Sequence, residues 1–352
     1  MSLSDLLKAR IAADGPISVA EYMHECLLHP EFGYYVTREP FGRAGDFVTA
    51  PEISQMFGEL IGLALAQAWC DQGSPSPFTL AEAGPGRGTL MADILRAAGQ
   101  VPGFIDAARV TLIEASDRLR NVQRETIAGV DLHFLESCDA LPEAPLFLVA
   151  NEFFDALPIR QFHRSDAHWR EQQVGLQNGR LSFGLGPELP QPALSARLDD
   201  TAPGDIVEYC PAAAPVAEMV GRRISEHGGV ALIIDYGDWH SLGDTLQALQ
   251  DHNPADPIAA PGTADITAHV DFEALSIAAP CAHTKPTPQG VFLERLGITA
   301  RARALAAGLS GDALEQHIAA HRRLTHPEEM GNLFKVLGLF PENGSPPPGL
   351  DA

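Results

Sequence analysis

The sequence predicts a doubly wound α/β fold, and three observations predict it. Short apolar segments alternate with helical patterns from Phe78 onward. A glycine-rich turn, Gly84-Pro-Gly86-Arg-Gly88, joins the first apolar segment to the helix that follows. Hydrophobic residues make up 45% of the 352, enough to cover a parallel sheet on both faces.

The elements follow in order. Residues 1–28 read as helix broken at Gly15-Pro16, with Ser18 capping a second helix to Leu28. His29 to Pro51 reads as a loop rich in Gly, Pro and aromatics. From Glu52 to Trp69, residues Ile53, Met56, Phe57, Leu60, Ile61, Ala64 and Leu65 recur at helical spacing. That stripe suits the core or a contact between two copies in a homodimer. Gly73-Ser-Pro-Ser-Pro77 marks a linker. Strands are expected at Phe78–Glu82, Arg109–Glu114, Leu132–Leu135, Leu146–Ala150 and Val230–Asp235, with helices at about 86–98, 117–127 and 212–227. Asn178-Gly179 between His168–Gln177 and Arg180–Leu185 signals an antiparallel hairpin. Pro187–Pro192 follows, and 237–290, rich in Asp, His, Pro and Gly, reads as mostly loop. The domain reading is an N-terminal helical cap over 1–74 and an α/β core over 75–352, with insertions at about 159–205 and 237–290.

Composition excludes several classes. With 46 acidic against 24 basic residues the formal net charge is -22, which repels phosphate backbones and tells against a nucleic-acid substrate. The same charge suits a cationic partner. No apolar run reaches the ~20 residues of a membrane-spanning helix, so no membrane insertion is expected. Cys26, Cys70, Cys138, Cys210 and Cys281 are scattered and form no C-x-x-C pair, which fits free thiols and neither a disulfide framework nor a zinc site. Met1 to Gly15 carries Asp5, Lys8, Arg10 and Asp14 and resembles neither a secretory signal nor a transit peptide. A cytoplasmic protein is the expectation.

The turn Glu82-Ala-Gly84-Pro-Gly86-Arg-Gly88 has the spacing G-x-G-x-G, not the dinucleotide G-x-G-x-x-G. Glycines let the backbone turn tightly and approach a ligand. Glu82 at the strand end can hold an ammonium group where a phosphate would be repelled. The next strand ends in Glu114-Ala115-Ser, where a carboxylate can accept ribose hydroxyls. Taken singly, each feature is equally a structural turn or strand end. Together they point to S-adenosylmethionine, with Glu82, Gly84, Gly86, Gly88, Glu114 and Ala115 around it. Asp139 is placed either to reach the adenine edge or to cap a helix before Ala140.

After the fourth strand stands Asn151-Glu152-Phe-Phe-Asp155-Ala-Leu-Pro158. Two carboxylates three apart on one turn can grip a guanidinium by paired charge-assisted bonds, so Glu152 and Asp155 are the catalytic candidates. Asn151 is counted with the cofactor residues. The alternative is a capping pair at a helix start. Asp46, Phe47 and Thr49 are expected to close over the cofactor, with Tyr34 and Tyr35 packing nearby. Tyr236, His240 and His269 are candidates for the substrate side, His252 being a further histidine of that acidic segment. Histidines in it can accept a proton, or be surface residues. His317 and His321 have a metal-compatible spacing but no H-E-x-x-H around them, and read as a solvated helix face.

Several runs occur in a set order: Gly45-Asp-Phe-Val-Thr-Ala-Pro-Glu52, Glu82-Ala-Gly-Pro-Gly-Arg-Gly88, Asn151-Glu-Phe-Phe-Asp-Ala-Leu-Pro158 and Asp235-Tyr-Gly237. Thr245-Leu-Gln-Ala, Asp265-Ile-Thr-Ala-His-Val-Asp-Phe272 and Phe334-Lys-Val-Leu337 follow. In these the chain resembles the MidA-like family, methyltransferases related to a mitochondrial complex I assembly factor that symmetrically dimethylates an arginine. The likeness spans Ile17 to Leu337. It implies a Rossmann-like, seven-stranded methyltransferase sheet, S-adenosylmethionine as cofactor, and an arginine of a complex I type subunit as substrate. The chain departs from the mitochondrial proteins in starting almost directly at the family core, which favours the cytoplasmic expectation. Two rivals stay open: a small-molecule methyltransferase with a closed pocket, and a non-catalytic assembly chaperone that binds the cofactor and acts by docking.

Overall fold

The computed structural model describes residues 2–37, 49–250 and 252–352. Asp46 and Phe47 lie outside the described residues. The chain divides into two compact units, one of 48–154, 214–239 and 272–352, the other of 1–47, 155–213 and 240–271. This partition differs from the expected boundary at 74/75. The helices up to Thr37 belong with the insertions, whereas Gln55–Asp71 belongs with the α/β core.

The larger unit is built on one sheet. Its strands are β1 (Phe78–Ala83), β2 (Ala108–Ile113), β3 (Leu132–Leu135), β4 (Leu146–Asn151), β5 (Gly229–Asp238), β6 (Ala282–His283) and β7 (Phe334–Phe340). Their spatial order is β6-β7-β5-β4-β1-β2-β3. The run from β5 to β3 is parallel, while β7 lies antiparallel to β5, from Ala231↔Leu339 to Tyr236↔Phe334. Thr287–Pro288 also pairs with β7. The chain thus meets β7 once on each side of a bend, at β6 and again at Thr287–Pro288. Every residue of β1 and β4 is buried, as a sheet covered on both faces requires.

Helix α1 (Gln55–Asp71) and helix α2 (Thr89–Ala98) pack on one another and on the sheet. Met56, Phe57, Leu60, Ile61 and Leu65 of α1 join Leu90, Met91 and Ile94 of α2 in the core with Leu80, Phe147, Val149 and Leu232. The apolar stripe of α1 is thus consumed inside the unit, which leaves the homodimer without the support it had in sequence. Glu59 on α1, 4% exposed, is held by Arg96 of α2 at 2.6 Å and by Arg301 at 2.8 and 3.1 Å. Burial pushes its pKa up, but the two guanidiniums outweigh burial and hold the carboxyl below its usual range.

The smaller unit has its own core. Leu3, Leu7, Ile11, Val19, Tyr22 and Met23 of the first two helices pack with Ile159, Val174, Ala248 and Ile266. The second of these helices starts at a capping box: the Ser18 hydroxyl accepts the N–H of Glu21 at 3.1 Å, and Glu21 accepts the N–H of Ser18 at 3.0 Å. Trp169–Gln177 and Arg180–Leu189 form the expected hairpin, and Asn178 and Gly179 both take positive φ, 52° and 73°. The segment 237–290 is not mostly loop. Gln247–Gln250 pairs with Asn253–Ala255 and with Asp265–Thr267, and Phe272–Ala278 in the larger unit is helical. Long-range pairing makes strands here that no local apolar alternation announces.

Candidate cofactor and active site

The strand order reverses at β1 and β4, which are neighbours, and in open α/β sheets the ligand crevice lies beyond the strand ends at such a point. Strand β1 ends at Glu82-Ala83. Glycines 84, 86 and 88 follow with φ of +65°, +51° and +83°. This left-handed backbone explains why the turn is built of glycine. A Cβ on Gly84 would lie 2.9 Å from Phe153 Cδ2, so the turn also needs a bare backbone for packing.

Glu82 is 3% exposed, and burial pushes its carboxyl up to about 8, offset only by a hydrogen bond from the Met91 N–H in the first turn of α2. Its Oε2 is buried with no hydrogen-bond partner, as is Oδ1 of Asn151 at the end of β4. Two buried acceptors facing the same strand ends fit a ligand that donates hydrogen bonds and carries positive charge, as the ammonium and sulfonium of S-adenosylmethionine do.

Glu114, after β2, is half-buried, and burial raises its pKa. Its Oε1 accepts the Ser116 N–H at 2.7 Å, and its Oε2 accepts Gln123 Nε2 at 3.2 Å. Ser116 caps helix α3 (Asp117–Thr126). Ala115 is exposed beside it. Asp139 is exposed within the short 3₁₀ turn Cys138–Ala140, where it accepts from the Ser137 hydroxyl at 3.4 Å. It does not cap that turn. Ser137 occupies the cap position.

The acidic run departs from expectation in shape. No helix follows β4 before Pro158. Glu152 instead takes φ +52°, a left-handed backbone that costs a non-glycine residue ~1–2 kcal/mol. Its N–H bonds to Ile234 O at 2.9 Å. Its Oε1 accepts from Asn151 Nδ2 at 3.0 Å and from the Ala50 N–H at 3.3 Å. Thr49 precedes that N–H as the N-terminal residue of the Ala50–Ile53 turn, and Glu52 in the same turn accepts from the Thr89 hydroxyl at 2.5 Å. The turn is thereby tied both to Glu152 and to the helix that leaves the glycine loop. Asp235, on β5, was given no role from sequence; it is fully buried and accepts the Phe154 N–H at 3.0 Å and the Tyr236 N–H at 3.0 Å. Its signal was an aspartate closing an otherwise apolar run. Tyr236 stacks edge-on against Phe334 at 5.4 Å.

Asp155, His240 and His269 belong to the smaller unit. Asp155 is 6% exposed, its carbonyl accepts the Ala268 N–H at 3.0 Å, and its charge lies close enough to Tyr35 to raise the phenol pKa, after burial and Asp265. Tyr35 donates to Asp265 at 2.8 Å, whereas Tyr34 is fully buried in the core. The His269 N–H bonds to the Thr245 hydroxyl at 2.8 Å, and the ring is half-buried, while His240 and His252 are exposed. His317 and His321 are not a solvated face: they are half-buried and bonded to Ala302 O at 2.9 Å and Thr299 Oγ1 at 3.0 Å. No cluster of potential metal ligands occurs among the described residues, and no described helix is long and apolar enough to cross a membrane.

A doubly wound sheet with a glycine turn and buried acceptors at its switch point defines an enzyme that takes a nucleoside cofactor. Comparison with known proteins makes the class specific. A family model for S-adenosyl-L-methionine-dependent methyltransferases matches residues 60–287. The protein arginine methyltransferase NDUFAF7, mitochondrial, of Danio rerio is 36% identical and aligns over 95% of this chain and 86% of its own. The Homo sapiens protein of that name is 35% identical over 95% and 82%. A protein from Burkholderia thailandensis, solved bound to S-adenosyl-homocysteine, superimposes with a TM-score of 0.81 at 30% identity, covering 99% of this chain and 92% of that one. The chain belongs to this methyltransferase family, and S-adenosylmethionine is its cofactor. The cytoplasmic expectation is withdrawn, because these relatives are named mitochondrial.

Proposed function

We propose that the chain transfers methyl groups to arginine in a partner protein, with a complex I type subunit as the target. The observation that supports this is the setting of Glu152 just after β4: it stands in strained backbone, and one carboxylate oxygen accepts from Asn151 and from the Ala50 N–H. The relatives named protein arginine methyltransferases, 34–36% identical over nearly the whole chain, support arginine as the acceptor. The net charge of -22 suits a cationic peptide.

The cofactor supplies an electrophilic methyl on a sulfonium. In this reading Glu82 takes the ammonium, and the glycines at 84, 86 and 88 leave room for the amino-acid and ribose portions. Glu114 accepts the ribose hydroxyls, with Ala115, Asp139, Asn151 and Thr49 completing that side. Glu152 accepts guanidinium N–H groups and holds positive charge away from the attacking nitrogen, so most of the catalysis is orientation and electrostatics. Asp155 is assigned the same role from its place three residues on. Tyr236, His240 and His269 are assigned to the substrate side, the histidines as proton acceptors after transfer.

The test is mass spectrometry of arginine methylation in cells lacking the gene, complemented by wild type or by Glu152→Gln. Arginine methylation on a discrete protein should disappear in the deletion, return with wild type and stay absent with Glu152→Gln. An unchanged arginine methylome, with label from S-adenosylmethionine found on a small molecule, would replace this reading with small-molecule methylation.

A further inference from the structure

We propose that Gln123 is a positioning residue for the ribose of the cofactor, acting through Glu114. Gln123 lies on α3 and is fully buried. Its Nε2 carries two hydrogens, and both are used: one bonds to the carbonyl of Gly86 at 2.8 Å, the other to Glu114 Oε2 at 3.2 Å. One amide therefore fastens the loop after β1 to the carboxylate after β2, the two strand ends between which a nucleoside sits. Gly88 is what lets the helix come this close, since a Cβ there would stand 3.4 Å from Gln123 Cγ and 3.1 Å from Ile127 Cδ1.

The consequence for Glu114 is orientation. Oε1 accepts the Ser116 N–H, Oε2 accepts Gln123, and the Ala115 N–H also bonds to this carboxylate, which leaves acceptor capacity for ligand hydroxyls. Without Gln123 the Oε2 end is free to turn toward solvent, and the Gly86 carbonyl loses its donor. A glutamine amide suits the position because it donates twice without adding charge. Its Oε1 is buried and has no partner, so it is the donating end that the site uses.

The inference rests on Glu114 as the ribose acceptor, and the experiment separates the two. The affinities of S-adenosyl-homocysteine and its 2′,3′-dideoxy analogue are measured calorimetrically for wild type, Gln123→Met and Gln123→Asn. Hydrogen bonds to a charged group make wild type prefer the natural ligand by roughly tenfold or more. In Gln123→Met that preference should shrink below about threefold, with S-adenosyl-homocysteine itself bound about tenfold more weakly, the signature of coupled groups. The turnover number at saturating S-adenosylmethionine should stay within about twofold, because the lost contacts bind substrate and transition state alike. Gln123→Asn keeps a buried amide too short to span both acceptors, and should lose the preference in a chain that still unfolds cooperatively, if at a lower temperature. Full discrimination in both folded variants overturns the role of Gln123. Absence of discrimination in wild type overturns the ribose assignment of Glu114, and with it this proposal.

Discussion

The carboxylate of Asp235 accepts the backbone N–H of Phe154 at 3.0 Å, pinning the turn that carries Glu152 to the neighbouring strand. Its other oxygen accepts the N–H of Tyr236. Asp235→Asn removes one of these acceptors, since an amide has a single oxygen, and leaves its NH₂ facing a buried N–H. The variant should lose ~1–3 kcal/mol of stability, the cost of an unsatisfied buried donor. Methyl transfer should fall as the turn loosens, while affinity for S-adenosyl-homocysteine holds. Chemical denaturation beside calorimetry checks this, and unchanged stability would mean that the turn is held elsewhere.

Glu82 makes binding depend on pH. Its carboxyl titrates at about 8 without ligand, because burial disfavours the charge. A cationic ligand prefers the carboxylate, so binding should release a proton below that pH. Affinity for S-adenosyl-homocysteine should rise from pH 6 to pH 8 and level off above it. Calorimetry in buffers of different ionisation enthalpy reads the proton directly, and Glu82→Gln should abolish both effects. The sign for stability is opposite. The folded chain holds this proton and the unfolded chain does not between about pH 4.5 and 8, so this group's stability contribution is lost as pH rises through that window. An affinity flat across pH 6–8 would sink the assignment.

Gly84→Val tests the glycine turn at its tightest point. The residue sits at φ +65°, and its Cβ would press on Phe153 at 2.9 Å. A β-branched side chain is strained there and must displace the ring next to Glu152. Cofactor affinity should drop by at least about tenfold, as expected when ~1–2 kcal/mol of left-handed strain adds to the displacement. A folded variant that binds S-adenosyl-homocysteine normally would exclude the turn from the cofactor site.

Glu152 holds a left-handed conformation that glycine adopts without strain. Glu152→Gly and Glu152→Ala both lose the contacts to Asn151 and the Ala50 N–H, but only glycine relieves the strain, so the glycine variant should be the more stable of the two by ~1 kcal/mol. Either change removes the proposed guanidinium contact and should cost 10²–10³ in methyl transfer, roughly the loss of one electrostatic contact matched to the transition state. Strain relieved by glycine while activity is lost in both variants is the expected pattern where strain is kept for function. A variant that is both stable and fully active would reduce Glu152 to a turn residue.

The parts of the fold that were legible announce themselves locally. Leu132–Leu135 is found where expected, and Asn178-Gly179 has the backbone signs its turn type needs. The glycine loop and the positions of Glu82, Glu114 and Asn151 at or just past strand ends were legible because a polar residue closing a short apolar run marks where a strand stops. Asp265–Thr267 was not, because its partner is 16 to 20 residues away and its own residues show no alternation. Nor was the left-handed Glu152, since Asn151 before it imitates a helix cap. Gln123 sits on a helix whose other positions are largely polar, and only the fold shows that its amide faces inward. The assignment of residues 1–37 to the inserted segments was equally hidden, because composition does not say which core an apolar helix joins.

The two units are interleaved in sequence: the chain passes from one to the other after residues 47, 154, 213, 239 and 271. The smaller unit has all of its segments only once residue 271 has been made, and the larger only once 272–352 has followed. The first helices wait for the segments at 155–213 and 240–271, and β7, beside the buried β5, emerges only after residue 334. Until then most of one edge of β5 lies uncovered and apolar, of the kind that pairs with other chains. Such late, long-range closure favours slow folding and dependence on chaperones. Shortening the chain from its C-terminal end into β7 should therefore yield aggregate in place of a smaller working enzyme.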